Sequence, residues 1–181
     1  MRIVGGVFRS RKISFPNDIS ITRPTKDRIR EAIFSALGDI SNAICLDLYA
    51  GSGAMGLEAI SRNANKCYFV DNSKDAINVI KENISSLGIK DKTKVIFKDD
   101  ISAIKDFINE NIQFDIVFLD PPYIKNNYDE IINYLLENNL LTESAIIVCE
   151  ANRDICLTSL DRFRKVKNYK YGEIKVTILW R

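Results

Sequence analysis

At 181 residues, with 46% hydrophobic and 28% charged side chains, the chain fits one globular domain and excludes a disordered or fibrous protein. Its formal charge is only +2, yet residues 1–30 hold eight Arg/Lys against Asp18 and Asp27, so the basic charge is gathered at one end. The chain has no histidine, which excludes Ser-His-Asp and Cys-His triads, and its four cysteines lack the CxxC spacing of a zinc site.

No apolar run approaches the ~20 residues of a membrane span, and the opening Met1-Arg2-Ile3-Val4-Gly5-Gly6 has no apolar signal core. A cytoplasmic protein without membrane contact is expected. Two short β-like pieces, Arg2–Val4 and Lys12–Phe15, flank Gly5–Arg9 and predict a small hairpin. After Arg23-Pro24-Thr25, apolar residues at Ile29, Ile33, Phe34 and Leu37 form one helical stripe, with Thr25 as the expected N-cap and Gly38 as the stop. From residue 43, strand-like runs at 43–48, 67–70, 94–97, 114–119 and 144–149 alternate with helical patterns at about 54–62, 73–86, 100–109 and 127–138. That alternation predicts βαβ units and a mostly parallel sheet covered on both faces. Residues 162–180 read as a closing antiparallel hairpin turning at Gly172. The expectation is a single α/β domain over 1–181, with 1–24 as a basic extension.

Asp47-Leu48-Tyr49-Ala50-Gly51-Ser52-Gly53-Ala54-Met55-Gly56 follows the first strand of this α/β pattern and opens a helix. Glycine permits a sharp turn and close approach of a ligand to the backbone, and in an open α/β sheet such a turn lies where ligands bind. Asp71, at the end of the second strand, is placed to accept from both ribose hydroxyls of a nucleoside cofactor, with Asn72 as the alternative. A nicotinamide dinucleotide shares this spacing. Asp47, however, precedes the loop where an ammonium suits it better than a pyrophosphate.

Asp120-Pro121-Pro122-Tyr123 follows the apolar strand 114–119. Two prolines fix φ and remove two N–H donors, so backbone carbonyls there are available to outside donors. An exocyclic base amine is a poor nucleophile because its lone pair is delocalised into the ring. The Asp120 carboxylate and the Pro121 carbonyl can orient it by accepting from its two N–H groups, while Tyr123 stacks the base. After the third strand, Asp100 is expected to accept from an adenine amine and Ile101 to pack on the ring, with Asp99 or Asp100 capping the next helix.

With these residues in place, the chain resembles the bacterial RsmD family, which methylates guanine N2 in 16S ribosomal RNA. The likeness runs through Arg2–Gly6, Arg23-Pro24-Thr25, Arg30-Glu31-Ala32-Ile33-Phe34, Asp47–Gly56, Asp120–Tyr123 and Tyr171-Gly172. The resemblance implies a Rossmann-like methyltransferase sheet of seven strands, S-adenosylmethionine as methyl donor without a metal, and a basic N-terminal extension that engages RNA. Arg2, Arg9, Arg11, Lys12, Arg23 and Arg28 are then expected on RNA phosphates, assisted by Arg164, Lys165 and Lys167. The other reading of these arginines, Arg23 above all, is that they hold the arm to the domain. The expected partner is 16S ribosomal RNA, free or in a partly assembled subunit, and the expected state is a monomer. The family often carries Phe and Glu where this chain has Tyr49 and Asp71. DNA adenine-N6 methyltransferases share D-P-P-Y but usually add a target-recognition region for which 181 residues leave no room. A non-catalytic RNA-binding or nicotinamide-binding protein leaves Asp120–Tyr123 without a role.

Overall fold

The structure, a computed structural model, describes residues 1–16, 23–122 and 125–181, and for 23–26 the backbone alone. Its helices are α1 (Arg23–Leu37), α2 (Ala54–Ser61), α3 (Lys74–Leu87), α4 (Asp100–Asn109) and α5 (Tyr128–Glu137). Its strands are β1 (Ile44–Leu48), β2 (Lys66–Asp71), β3 (Thr93–Phe97), β4 (Phe114–Leu119), β5 (Leu141–Ala151), β6 (Lys165–Tyr171) and β7 (Ile174–Trp180). They form one sheet in the order β3-β2-β1-β4-β5-β7-β6. Strands β1 to β5 are parallel, and β7 enters antiparallel between β5 and β6.

Alternation along each strand divides the apolar side chains between two layers. Cys45, Phe69, Ile116, Phe118 and Val148 pack with Ile3, Ile13 and the apolar stripes of α1, α2 and α3. Leu46, Leu48, Val117 and Leu119 pack with α4 and α5, where Tyr68, Phe107 and Phe114 meet edge to face at centroid distances of 5.1–5.6 Å. Each such ring pair adds about 0.5–1.5 kcal/mol beyond its burial. The chain passes from β3 across to β4 on the far side of β1, so the strand order reverses between β1 and β4. A crevice opens there at the carboxyl ends of the strands.

Local chemistry sets the helix ends. Ser73 caps α3 by accepting from the Ala76 N–H, and left-handed Gly88 closes it. Asp99 caps α4 by accepting from the Ser102 N–H (2.9 Å), so the two acids divide, with Asp100 inside the first turn. Two expectations need correction. Helix α1 already includes Arg23 and Pro24, so Thr25 lies within its first turn and is not its cap. Proline belongs there because first-turn residues need no N–H donor. The N-terminal hairpin is present: Arg2 bridges Lys12 antiparallel, the Ile3 N–H donates to the Arg11 carbonyl (3.0 Å), the Ser10 N–H to the Ile3 carbonyl (2.9 Å) and the Ile13 N–H to the Met1 carbonyl (3.1 Å), while the Val4, Gly5 and Phe8 N–H groups turn to α2. Strand β5 runs over 141–151, beyond the expected 144–149, since the polar Thr142–Ser144 stretch stays extended through a register shift beside β4.

Candidate active site

The turn after β1 is built from left-handed backbone. Tyr49 has φ 67°, Gly51 56° and Gly53 77°. The glycines adopt this freely, whereas Tyr49 costs on the order of 1–2 kcal/mol. Its ring is held in place by its hydroxyl, which donates to Asp100 Oδ2 and lies 3.1 Å from the Asn127 amide nitrogen, which donates to it. A side-chain atom added at Gly51 meets nothing within 4 Å, so the backbone there borders open space. The Gly51 N–H donates to Asp71 Oδ2 (2.8 Å) and the Ser73 N–H to Asp71 Oδ1 (2.8 Å), which tie the glycine turn to the end of β2. A carboxylate has about four lone-pair sites, so Asp71 retains acceptor capacity toward a ribose. Asn72 beside it is exposed.

Asp47 sits on β1 under the turn, buried, and accepts from the Gly56 N–H (2.9 Å). Burial raises its carboxyl to about 7, opposed by that hydrogen bond and reinforced by Asp71.

Asp100 faces back toward the turn. Its Oδ2 accepts from Tyr49, from Lys125 Nζ (2.5 Å) and from Asn127 Nδ2 (3.0 Å), while its Oδ1 accepts from the Ile101 N–H (3.0 Å). Burial pushes the Asp100 carboxyl up, but the bonds from Lys125, Tyr49 and Asn127 outweigh it and hold it at about 2. Ile101 is half-buried against the α4–α5 layer. Lys125 and Asn127 were invisible to motif reading because nothing local marks them. Only the turn after β4, folded over Tyr49, brings them to Asp100.

Asp120 and Pro122 are exposed and Pro121 is buried at the carboxyl end of β4. The Pro122 carbonyl accepts from the Lys125 N–H (2.8 Å), so the prolines stiffen a short turn. Tyr123 lies outside the described residues. A cleft of about 160 Å³ is lined by Asp47, Tyr49, Gly51 and Asp120 together with Arg30, Met1 and Glu150. The structure thus brings the glycine turn and the D-P-P turn to one cavity. It also adds Arg30 and Glu150, to which no motif had pointed as cleft residues.

The N-terminal segment forms a wall of that cleft through a buried ionic clamp. Glu58, fully buried on α2, accepts from the Val4 and Gly5 N–H groups (both 2.8 Å), from Arg62 Nε (2.9 Å) and from Arg30 Nε (3.3 Å). Arg30 further donates to Asp27 (2.9 Å) and to the Arg2 carbonyl. Gly6, at φ 73°, lies so close to the Ser61 carbonyl that any side chain collides with it. The holding arginine is therefore Arg30; the Arg23 side chain lies outside the described residues. Arg2, Arg9, Lys12 and Arg28 line a groove of about 710 Å³ between the arm and α1, shared with Asp27 and Glu31. Arg2 pairs with Asp27 (3.6 Å) and Arg11 donates to the Ser86 carbonyl (3.1 Å), so both also hold the arm. Lys165 is not brought near this groove. It pairs in register with Trp180, which pairs with Ile146, at the end of the sheet opposite the cleft.

An open sheet of seven strands with this order, a glycine turn after β1 and a D-P-P turn after β4, defines a Rossmann-like class I methyltransferase. The SMU.776 protein, crystallised with SAH, shows the same fold at 14% identity (TM-score 0.70, over 88% of this chain and 50% of that one). The chain belongs to the family described as Conserved hypothetical protein 95, which it matches over residues 1–180, the family of the RsmD methyltransferases. Ribosomal RNA small subunit methyltransferase D of Haemophilus influenzae is 36% identical over 174 residues, 95% of this chain and 89% of that protein. The solved structure of yhhF from Escherichia coli superposes with a TM-score of 0.83 at 30% identity, over 100% of this chain and 97% of that one.

Proposed function

We propose that the chain is an S-adenosylmethionine-dependent methyltransferase that modifies the exocyclic N2 of a guanine in small-subunit ribosomal RNA. The observation that carries this reading is the meeting of Asp47, Gly51 and Asp120 in one cleft at the switch point between β1 and β4. The family and the name of the Haemophilus influenzae relative support ribosomal RNA as the substrate. The residues present fit the cofactor. Open space at Gly51 admits it against the backbone, the buried Asp47 suits its ammonium, and Asp71 suits its ribose.

When bound, S-adenosylmethionine supplies an electrophilic methyl group on a sulfonium. The protein's part is placement. The Asp120 carboxylate and the Pro121 carbonyl accept from the two N2–H groups and hold the amine with its lone pair toward the donor. Tyr123 stacks the base and Ile101 packs on the adenine. Placement of this kind supplies on the order of 7–11 kcal/mol in the best intramolecular cases. The rigid turns at 49–53 and 120–122 suit that task.

No helix among the described residues is long and apolar enough to cross a membrane. Action as a cytoplasmic monomer belongs to the same proposal. The test has two arms. Calorimetric titration is expected to show binding of S-adenosylmethionine and none of a nicotinamide dinucleotide. Mapping of modified positions in small-subunit RNA, with and without the protein, is expected to show one added N2-methylguanine. Methylation at an adenine, or at none, overturns the proposal.

A further inference from the structure

Strand β6 is last in the sheet order, so among the described residues one side of its backbone has no strand beside it. Its side chains are exposed from Lys165 to Asn168, and it ends on two half-exposed aromatics, Tyr169 and Tyr171. Alternation puts both on one face of the strand, where their rings lie nearly parallel, 14° apart with centroids at 6.4 Å. They rest against the core layer shared with α1, in register with Val176 and Ile174 of β7. Register also places them at the cleft end of the sheet. Val176 pairs with Tyr169 on one side and with Glu150 on the other. One residue beyond the Leu119–Cys149 pair, Glu150 stands beside Asp120. A single row therefore crosses the sheet from Asp120 through Glu150 and Val176 to Tyr169, on the side that α1 covers. At about 4.8 Å per strand it spans about 14 Å. Asp120 and Glu150 line the cleft at one end of this row, and Tyr171 lies beyond Tyr169 toward the same rim.

An exposed edge strand invites another strand, and lysines along it discourage that pairing. Lys165, Lys167 and Lys170 stand on β6. Lys170, exposed between the two tyrosines in sequence, makes no ion pair among the described residues, whereas Lys175 opposite it pairs with Asp154 (2.7 Å). Flat aromatic faces beside an unspent cation suit a polyanion that carries bases. Every base has a π-face, so stacking on such rings requires no particular sequence. We propose that Tyr169 and Tyr171 form a stacking platform for unpaired nucleotides next to the target. The arm is docked on α2, over β1 and β2, so the platform holds the RNA strand on the other side of the cleft. The target nucleotide is then presented with both flanks held, one by cations and one by rings. This rests on the RNA methyltransferase reading above and adds to it a second RNA contact surface.

The test measures RNA affinity across a salt series, single-turnover transfer and S-adenosylmethionine affinity, with small-subunit ribosomal RNA as the probe. Three double variants are compared with the wild type: Tyr169→Phe with Tyr171→Phe, Tyr169→Leu with Tyr171→Leu, and Tyr169→Ala with Tyr171→Ala. The Phe pair keeps both rings and is expected to bind RNA within about threefold of the wild type. The Leu and Ala pairs should lose at least about fivefold in affinity, the lower end of what one stacked base contributes. Stacking releases no counterions, so that loss should be the same at every salt concentration. A stacked flank is held equally before and during transfer, so the rate at saturating RNA should stay within about threefold. Cofactor affinity should not change. The Leu pair keeps apolar bulk against the core, so a loss confined to the Ala pair overturns the platform and leaves the rings a packing role. Wild-type RNA affinity in both pairs overturns it as well. So does a wild-type dimer in sedimentation that the Leu pair dissociates, which would give the β6 edge to a second copy of the chain. A wild type that neither binds nor methylates small-subunit RNA overturns the parent reading, and this one with it.

Discussion

Burial holds the Asp47 carboxyl near 7, against the Gly56 hydrogen bond and with a further push from Asp71. The folded protein thus keeps a proton that an ordinary carboxyl near 3.8 releases on unfolding. The folded state binds more protons than the unfolded chain between these values. Stability from this group is therefore fully present below about pH 4, is lost as pH rises toward 7, and is level above that. Asp47→Asn is expected to flatten that slope and to melt higher than the parent above pH 7, read from Tm against pH; a variant that keeps the slope places its origin elsewhere. The neighbouring Asp120 carries a different prediction. Asp120→Ala should lower single-turnover transfer by about 10²–10⁴-fold, the scale of a positioned catalytic group. Affinity for S-adenosylmethionine should be nearly intact, since Asp120 is assigned to the acceptor amine. Near-normal transfer by this variant sinks the mechanism. Asp47, Gly51, Asp71 and Asp120 were legible in the sequence because each stands at a strand end with its motif around it. Lys125, Asn127 and Glu150 were not. Their places at the site follow from strand order, register and the fold of a turn, none of which a linear pattern carries.

Helix α2 links two functions through eight residues. Its first turn issues from the glycine loop, and its last turn holds the N-terminal segment through Glu58 and Ser61. The Val4, Gly5 and Phe8 N–H groups all end on those two side chains, which is how the small hairpin of the arm is docked on the domain. Glu58→Ala leaves Arg30 buried without its carboxylate and strips two backbone donors of their acceptor. Breaking a buried pair in this way costs about 3–5 kcal/mol, or roughly 6–20 °C in Tm for a chain of this size. Glu58→Gln, which keeps an acceptor, should lose clearly less. Equal melting of both variants with the parent would show that the clamp contributes little. At this scale the sequence was informative wherever periodicity was strong. The strands from β1 to β4 and the helices α2 to α5 fall within a residue or two of the expected bounds. It was least informative at the start of α1 and in β5, where Thr25 and the polar Thr142–Ser144 stretch carry local signals that the surrounding backbone overrides.

Across the whole molecule, the charge excess of residues 1–30 lies in part at a groove adjoining the cleft, for Met1 lines both cavities. On the reading proposed above, an RNA strand whose target base enters beside Asp120 continues onto Arg9, Lys12 and Arg28, which share the groove with Asp27 and Glu31. Composition showed the excess but not its division. Arg30 is spent inside the clamp and Arg2 is paired with Asp27, so fewer cations face a ligand than the count implies. Each remaining phosphate contact releases condensed counterions, and RNA affinity should fall steeply with salt. Neutralising Arg9, Arg11 and Lys12 together is expected to weaken RNA binding and flatten that dependence by roughly one slope unit per lost contact. Cofactor affinity should be unchanged, since these residues lie outside the lining of the cleft. The structure refines the accompanying stability readout. Arg11 donates to the Ser86 carbonyl from an exposed position, so its loss should lower Tm only slightly, whereas Arg9 and Lys12 should leave it unmoved. The basic residues at 164, 165 and 167 serve as the internal control. Lys165 sits at the far end of the sheet with its ammonium 4.7 Å from the Trp180 ring. Neutralising those three should leave the salt slope nearly intact. A wild-type slope in the arm variant, together with a flattened one in the β6 variant, would move the RNA to the opposite end of the sheet and separate it from the cleft.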